Sequence, residues 1–127
     1  MSKQIINSAD APAPIGPYSQ AVKHGNTLYI SGQIALDAKT GNLVGAGDIK
    51  AETHQVMKNL KAILAAAGLD FTHVVKSSIF VKDLGNFGAI NEVYGEYFKS
   101  NPPARETVEV SRLPKDVQVE ISCIAVV

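Results

Sequence analysis

The chain has 127 residues, 46% hydrophobic and 19% charged, and its twelve basic and twelve acidic side chains cancel. This suits one domain, residues 1–127, that folds without disulfides or metal, and it gives nucleic acid no electrostatic purchase. The one cysteine, Cys123, excludes an internal disulfide; with no signal-peptide core and no apolar run near the ~20 residues of a membrane helix, a cytoplasmic setting off the membrane is expected.

Pro12, Pro14, Gly16 and Pro17 make residues 9–17 an irregular entry segment. Residues 18–24 alternate, Gly25-Asn26 turns, and 27–34 alternate again, which predicts a β-hairpin with a two-residue loop. Its register sets His24 opposite Thr27, Val22 opposite Tyr29 and Gln20 opposite Ser31. Tyr18, Gln20, Tyr29, Ser31 and Gln33 then share a polar face, and Ala21, Leu28, Ile30 and Ile34 an apolar one. Residues 37–41 read as a turn. Asp48 is placed to cap a helix whose buried stripe is Ile49, Val56, Leu60, Ile63, Leu64 and Ala67. Thr53 fills the one gap in that stripe, and Gly68 takes the left-handed position at its end.

Residues 74–81 are β-branched and predict a strand. Asn86 is placed to cap a second helix with Phe87, Ile90, Tyr94, Tyr97 and Phe98 as its stripe, stopped by Asn101-Pro102-Pro103. Residues 104–112 and 117–127 are the last two strands. The order β-β-α-β-α-β-β implies an α+β fold with two helices on one sheet face. The other face would carry Tyr18, Ser31, Arg105, Thr107, Glu109 and Glu120 among apolar residues, a mixture that marks an interface.

Most of the chemistry lies in the closing segment. Arg105 can grip a small carboxylate through two parallel hydrogen bonds, and Glu120 can handle a water or a proton. A hairpin turn at Pro114-Lys115 sets Leu113 opposite Asp116, Glu109 opposite Glu120, Thr107 opposite Ser122 and Arg105 opposite Ile124. Arg105 and Glu120 then share a face, roughly 13 Å apart along the strand. Glu109 beside Glu120 would be a repulsive pair. Spacing alone leaves open whether Arg105 grips a ligand or pairs with a surface carboxylate, and whether Glu120 is simply solvated.

Other candidates are weaker. His24, His54 and His73 lack metal-ligand spacing. Ser31 has no convincing base, which weakens a nucleophile reading. Cys123 falls on the apolar side with Val119, Ile121 and Ala125 as a core residue. Gly41, Gly45 and Gly47 lack the context of a phosphate loop.

Several ordered blocks together resemble the Rid family, also called RidA or YjgF. They are Ile15-Gly16-Pro17-Tyr18, Ile30-Ser31-Gly32-Gln33-Ile34, Val75-Lys76 and Val81-Lys82-Asp83-Leu84. The most specific are Pro103-Ala104-Arg105, Val108-Glu109-Val110, Arg112-Leu113-Pro114-Lys115-Asp116 and Val119-Glu120-Ile121. The resemblance implies a chorismate-mutase-like fold, two helices on one face of a mixed sheet, assembled as a homotrimer around a central barrel with clefts between subunits. It implies a hydrolase that turns reactive enamines and imines such as 2-aminoacrylate into 2-keto acids and ammonia without a cofactor. On that resemblance Arg105 binds the substrate carboxylate, Glu120 positions or activates water, and Tyr18, Ser31, Gly32, Asn91 and Thr107 line the cleft. Thr107 stands where many members have cysteine, and Glu106 where a small or apolar residue is usual. Glu106 is expected to point away from Arg105 and to affect packing. A binding module for 2-keto acids is the alternative function; RNA cleavage, ascribed to some relatives, is opposed by the neutral charge.

Overall fold

The computed structural model describes residues 2–127. Its strands are β1 (Gln4–Ile6), β2 (Ala21–His24), β3 (Thr27–Gln33), β4 (Val74–Val81), β5 (Ala104–Glu109) and β6 (Val119–Val126). Its helices are α1 (Ile49–Ala66) and α2 (Phe87–Tyr97). The strands form one mixed sheet in the order β1-β2-β3-β6-β4-β5. Among the described residues, only β4 and β5 are parallel neighbours. Parallel strands need a crossover, and α2 supplies it.

Helix α1 follows from its sequence. The Asp48 carboxylate accepts from the N–H groups of Lys50 and Ala51, each at 3.2 Å. Val56, Met57, Leu60, Ile63 and Leu64 are fully buried, each contributing about 2 kcal/mol by leaving water. Thr53 fits in the stripe because its hydroxyl donates to the Ile49 carbonyl at 2.7 Å. Gly68 follows the helix at φ 75°, which glycine adopts at least cost. At α2, Asn86 holds the cap position without a side-chain bond. Asp83 instead accepts from Gly85 N at 2.8 Å in the preceding turn. Both helices cover the sheet side lined by Ala21, Leu28, Ile30, Ile79, Ile121 and Cys123.

The first hairpin keeps its expected register, with Val22 opposite Tyr29 and His24 opposite Thr27. Alternation then fails at Ser31-Gly32. Pairing of β3 with β6 steps from Ile30–Cys123 to Gln33–Ile121, three residues against two. The extra residue is a β-bulge, and it reverses the facing of everything beyond it. Gln33 therefore turns inward and is buried. Ile34 leaves the main core for a small cluster with Leu36, Leu113 and Val117. Gln20 is buried as well, because the entry segment covers it. The short strand β1, absent from the expected order, pairs with β2.

The closing segment is not a hairpin. β5 pairs with one edge of β4 and β6 with the other. The expected pairs of Glu109 with Glu120, Thr107 with Ser122 and Arg105 with Ile124 do not form. Arg105 pairs instead with Ser77, Thr107 with Ile79 and Glu109 with Val81. Glu120 pairs with Phe80 and Ser122 with Ser78. The crossover through α2 delivers β5 to the outer edge of β4, so β6 enters between β3 and β4. The repulsive carboxylate pair vanishes, and Glu109 accepts from Leu84 N at 3.0 Å.

The sheet side opposite the helices is open within the chain. Ile5, Tyr29 and Val108 are exposed on it, 52%, 51% and 42% respectively. Within β4, β5 and β6 its polar members are Lys76, Ser78, Glu106, Glu120 and Ser122, not Arg105, Thr107 and Glu109 as the hairpin register required. Glu106 does point away from Arg105. There it pairs with Lys76 Nζ at 3.2 Å and accepts from the Ser78 hydroxyl. No helix is long and apolar enough to cross a membrane among the described residues.

Candidate active site

Tyr18, Ser31, Gly32 and Glu120 line one cleft of about 390 Å³ on the open side, with Ile15, Gln20 and Pro114 among its other walls. Gln20 builds one wall. Its side chain accepts from Ser8 N at 2.6 Å and donates to the carbonyls of Ser8 and Pro12 at 3.1 and 2.9 Å. That fixes the proline-rich segment, which cannot form a ladder of its own. The bulge turns Ser31-Gly32 toward β6. The Ser31 hydroxyl donates to Ser19 O at 2.6 Å, a structural bond that leaves it without a base.

Gly32 is required by what lies over it. A Cβ there would come within 2.8 Å of Glu120 Cδ and closer still to Oε2. The carboxylate thus rests against bare backbone. It is half-buried, and no donor among the described residues bonds it. Burial alone pushes the Glu120 carboxyl above the ordinary range, toward values useful in a general base.

Two buried polar residues of α1 hold this cleft in shape, and the apolar stripe did not announce them. Asn59 Nδ2 donates to the carbonyls of Ile34 and Leu36, each at 3.1 Å, fixing the exit of β3. Glu52 Oε2 accepts from Gln118 N at 2.7 Å and Val119 N at 3.1 Å, fixing the start of β6 beside Glu120. The two lie four residues before and three after Val56, which places both on the buried face. That spacing was the available signal. Burial raises the Glu52 carboxyl, and the two backbone donors oppose it.

Arg105, Asn91 and Thr107 lie elsewhere. Arg105 Nη1 donates to Asn91 Oδ1 at 2.8 Å. Its guanidinium carbon stands 5.5 Å from the Phe87 ring centre and 5.1 Å from that of Tyr94. No carboxylate among the described residues pairs with it, so the surface ion-pair reading fails for this chain. Thr107 is two residues along the same strand and side. Its hydroxyl is the one buried side-chain polar atom without a partner among the described residues. Beneath Arg105 lies a contact that sequence reasoning missed. The Tyr94 hydroxyl donates to Ser77 Oγ at 2.9 Å, and Ser77 Oγ is 3.5 Å from Cys123 Sγ. Burial raises the Tyr94 hydroxyl and pushes the Cys123 thiol up to about 11, which leaves the thiol protonated and inert.

Residues directly paired across a sheet share a face. Ser77, Arg105 and Cys123 share the helix side, and Phe80, Val108 and Glu120 share the open side. The seven expected site residues therefore fall into two groups on opposite faces. Of the histidines, His54 meets the Tyr97 hydroxyl at 3.0 Å and His73 accepts from Asp70 N at 3.1 Å. No cluster of three or more His, Cys, Asp or Glu suited to a metal occurs among the described residues.

Fold and site together define an α+β protein with an oriented arginine on one sheet face, without a carboxylate partner among the described residues, and a raised carboxyl on the other. The Endoribonuclease L-PSP family model matches residues 8–127, and the chain belongs to that family, the Rid or RidA/YjgF group. A RutC family protein of Pyrococcus horikoshii is 56% identical over 123 residues, covering 97% of each chain. The human 2-iminobutanoate/2-iminopropanoate deaminase is 48% identical over 124 residues, covering 98% of this chain and 90% of the human one. A solved Rid-family protein, YyfA of Yersinia pestis, superposes with a TM-score of 0.96 at 46% identity, covering 99% of this chain and all of the other.

Proposed function

We propose that the protein hydrolyses small 2-imino acids and their enamine tautomers, such as 2-iminobutanoate and 2-aminoacrylate, to 2-keto acids and ammonia. The observation that carries this reading is the Arg105 guanidinium, aimed by Asn91 and lacking any carboxylate partner among the described residues. An arginine so held suits the planar carboxylate of a small acid. The name of the human relative supports the substrate class.

In the proposed reaction Arg105 fixes the carboxylate. Water's oxygen bonds to the carbon of the protonated imine as Glu120 takes a proton from that water, which gives a neutral carbinolamine. Glu120 returns the proton to the carbinolamine nitrogen; the C–N bond then breaks, ammonia leaves, and the hydroxyl proton passes back to the Glu120 carboxylate as the carbonyl forms. The imine carbon is already electrophilic, so orientation and proton transfer account for the chemistry and no cofactor is invoked.

Arg105 and Glu120 of one chain occupy opposite sheet faces, so one site takes them from two copies. Copies associating through the open face would bring the Glu120 cleft of one against the Arg105 edge of another. A closed ring of three, as the resemblance implies, satisfies this with one repeated contact. The test is ammonia release from freshly generated 2-iminobutanoate. Acceleration over buffer that Arg105→Ala lowers about a hundredfold supports the reading; no acceleration by the wild type rejects it. Saturable 2-ketobutyrate binding without turnover would favour the binding-module alternative.

A further inference from the structure

Phe87, Asn91 and Tyr94 follow one another at a spacing of four and then three residues along α2, which sets them on one face of the helix. That face lies over the edge strand β5 and meets Arg105 with a bond at 2.8 Å and two rings at 5.5 and 5.1 Å. An edge arginine is otherwise a floppy side chain with large rotamer freedom. Asn91 occupies Nη1; Nε and Nη2 have no partner among the described residues.

The Tyr94 ring is itself held from behind. It is 5% exposed, packs on Phe98 with ring centres 4.7 Å apart, and anchors its hydroxyl on Ser77 at 2.9 Å. Ser77 is fully buried and is the strand partner of Arg105 itself. A hydroxyl at that depth costs stability unless it is bonded. An alanine at 77 with a phenylalanine at 94 would pack the same core with two fewer polar groups. What the pair of hydroxyls adds is a fixed height and tilt for the ring under the guanidinium.

We propose that Tyr94, clamped by Ser77, is a positioning residue that holds Arg105 with its free N–H edge turned outward for a carboxylate. The clamp sets affinity for the acid group and leaves the proton chemistry at Glu120 alone. This rests on the reading of Arg105 as the carboxylate grip.

The experiment measures calorimetric binding of 2-ketobutyrate, and of its uncharged amide, by the full-length assembled protein. Arg105→Ala, Tyr94→Leu, Tyr94→Phe and Ser77→Ala are compared, with thermal melts alongside. Tyr94→Leu is expected to weaken ketobutyrate binding about tenfold through loss of the ring face. Tyr94→Phe and Ser77→Ala, which remove only hydroxyls, are expected to weaken it roughly threefold. The amide is expected to lose little in any of them, and the kinetic counterpart is a raised KM with kcat kept. If Arg105→Ala abolishes binding while the folded Tyr94 and Ser77 variants bind as wild type, the clamp is wrong and the grip stands. Equal losses for acid and amide also overturn the clamp. If Tyr94→Leu does not fold, unchanged affinity in both hydroxyl-deletion variants overturns it. If the wild type does not bind 2-ketobutyrate, or Arg105→Ala binds it unchanged, the grip and the clamp fall together.

Discussion

Arg105 and Glu120 project from opposite faces of the same sheet. Arg105 is level with Ser77 on the helix side, and Glu120 with Phe80 on the open side. A site that uses both takes them from different copies of the chain, which makes the division testable by mixing.

Arg105→Ala and Glu120→Gln are each expected to retain about a hundredth of wild-type activity or less alone. Unfolded together in equal amounts and refolded, they form mixed assemblies in which some interfaces join an intact Arg105 to an intact Glu120. Random mixing in a ring restores about a quarter of wild-type activity, since each site draws its two residues from two neighbours. Ammonia-release assays on the refolded mixture check this, and no recovery would refute a site shared between copies.

Glu120→Gln should lower kcat by roughly 10²–10⁴-fold, the usual contribution of a positioned base, with 2-ketobutyrate binding largely kept. In the wild type the acid limb of the pH–rate profile should lie above the ordinary glutamate range, because burial raises this carboxyl. Activity falls as pH drops through that value and Glu120 takes up a proton.

The same group has an opposite effect on stability. The folded protein holds the Glu120 proton more tightly than the unfolded chain does. Its contribution is therefore complete below the unfolded value and is lost as pH rises through the folded one. Glu120→Gln avoids burying the charge, so it should melt above wild type at neutral pH and approach it in acid. Melting curves across that range read the difference.

Gly32→Ala places a methyl where the Glu120 carboxylate rests. The carboxylate moves by about an ångström, which costs on the order of 10²-fold in kcat when a reacting group is displaced that far. The melting temperature should change little, since the far end of a glutamate side chain can give way. Kinetics and melts on one preparation separate the two effects.

Asn59→Ala strips the donors from the carbonyls of Ile34 and Leu36. Leaving buried acceptors unpaired and opening a gap costs about 2–3 kcal/mol. Denaturant titration checks this. Asn59→Leu, which restores volume without donors, should remain destabilised.

The sequence by itself determined what depends on near neighbours along the chain. The cap at Asp48, the stripe of α1, the β4 strand from Val74 to Val81 and the register of Val22 against Tyr29 follow from spacing within a few residues. The resemblance also named the family from ordered motifs. Only the tertiary structure decided which strands pair. An alternating strand states which residues share a side, not which strand lies beside it. β4 lies between β5 and β6 because α2 carries the chain across to a parallel partner, and this reversed the expected facing of Arg105 relative to Glu120. One extra residue at Ser31-Gly32 likewise turned Gln33 inward and Ile34 out, because the period of a strand is two and a single insertion inverts it. Glu52 and Asn59 were legible in principle from their distance to Val56. Their partners, the backbone at 118–119 and at 34 and 36, exist only once helix and sheet are packed.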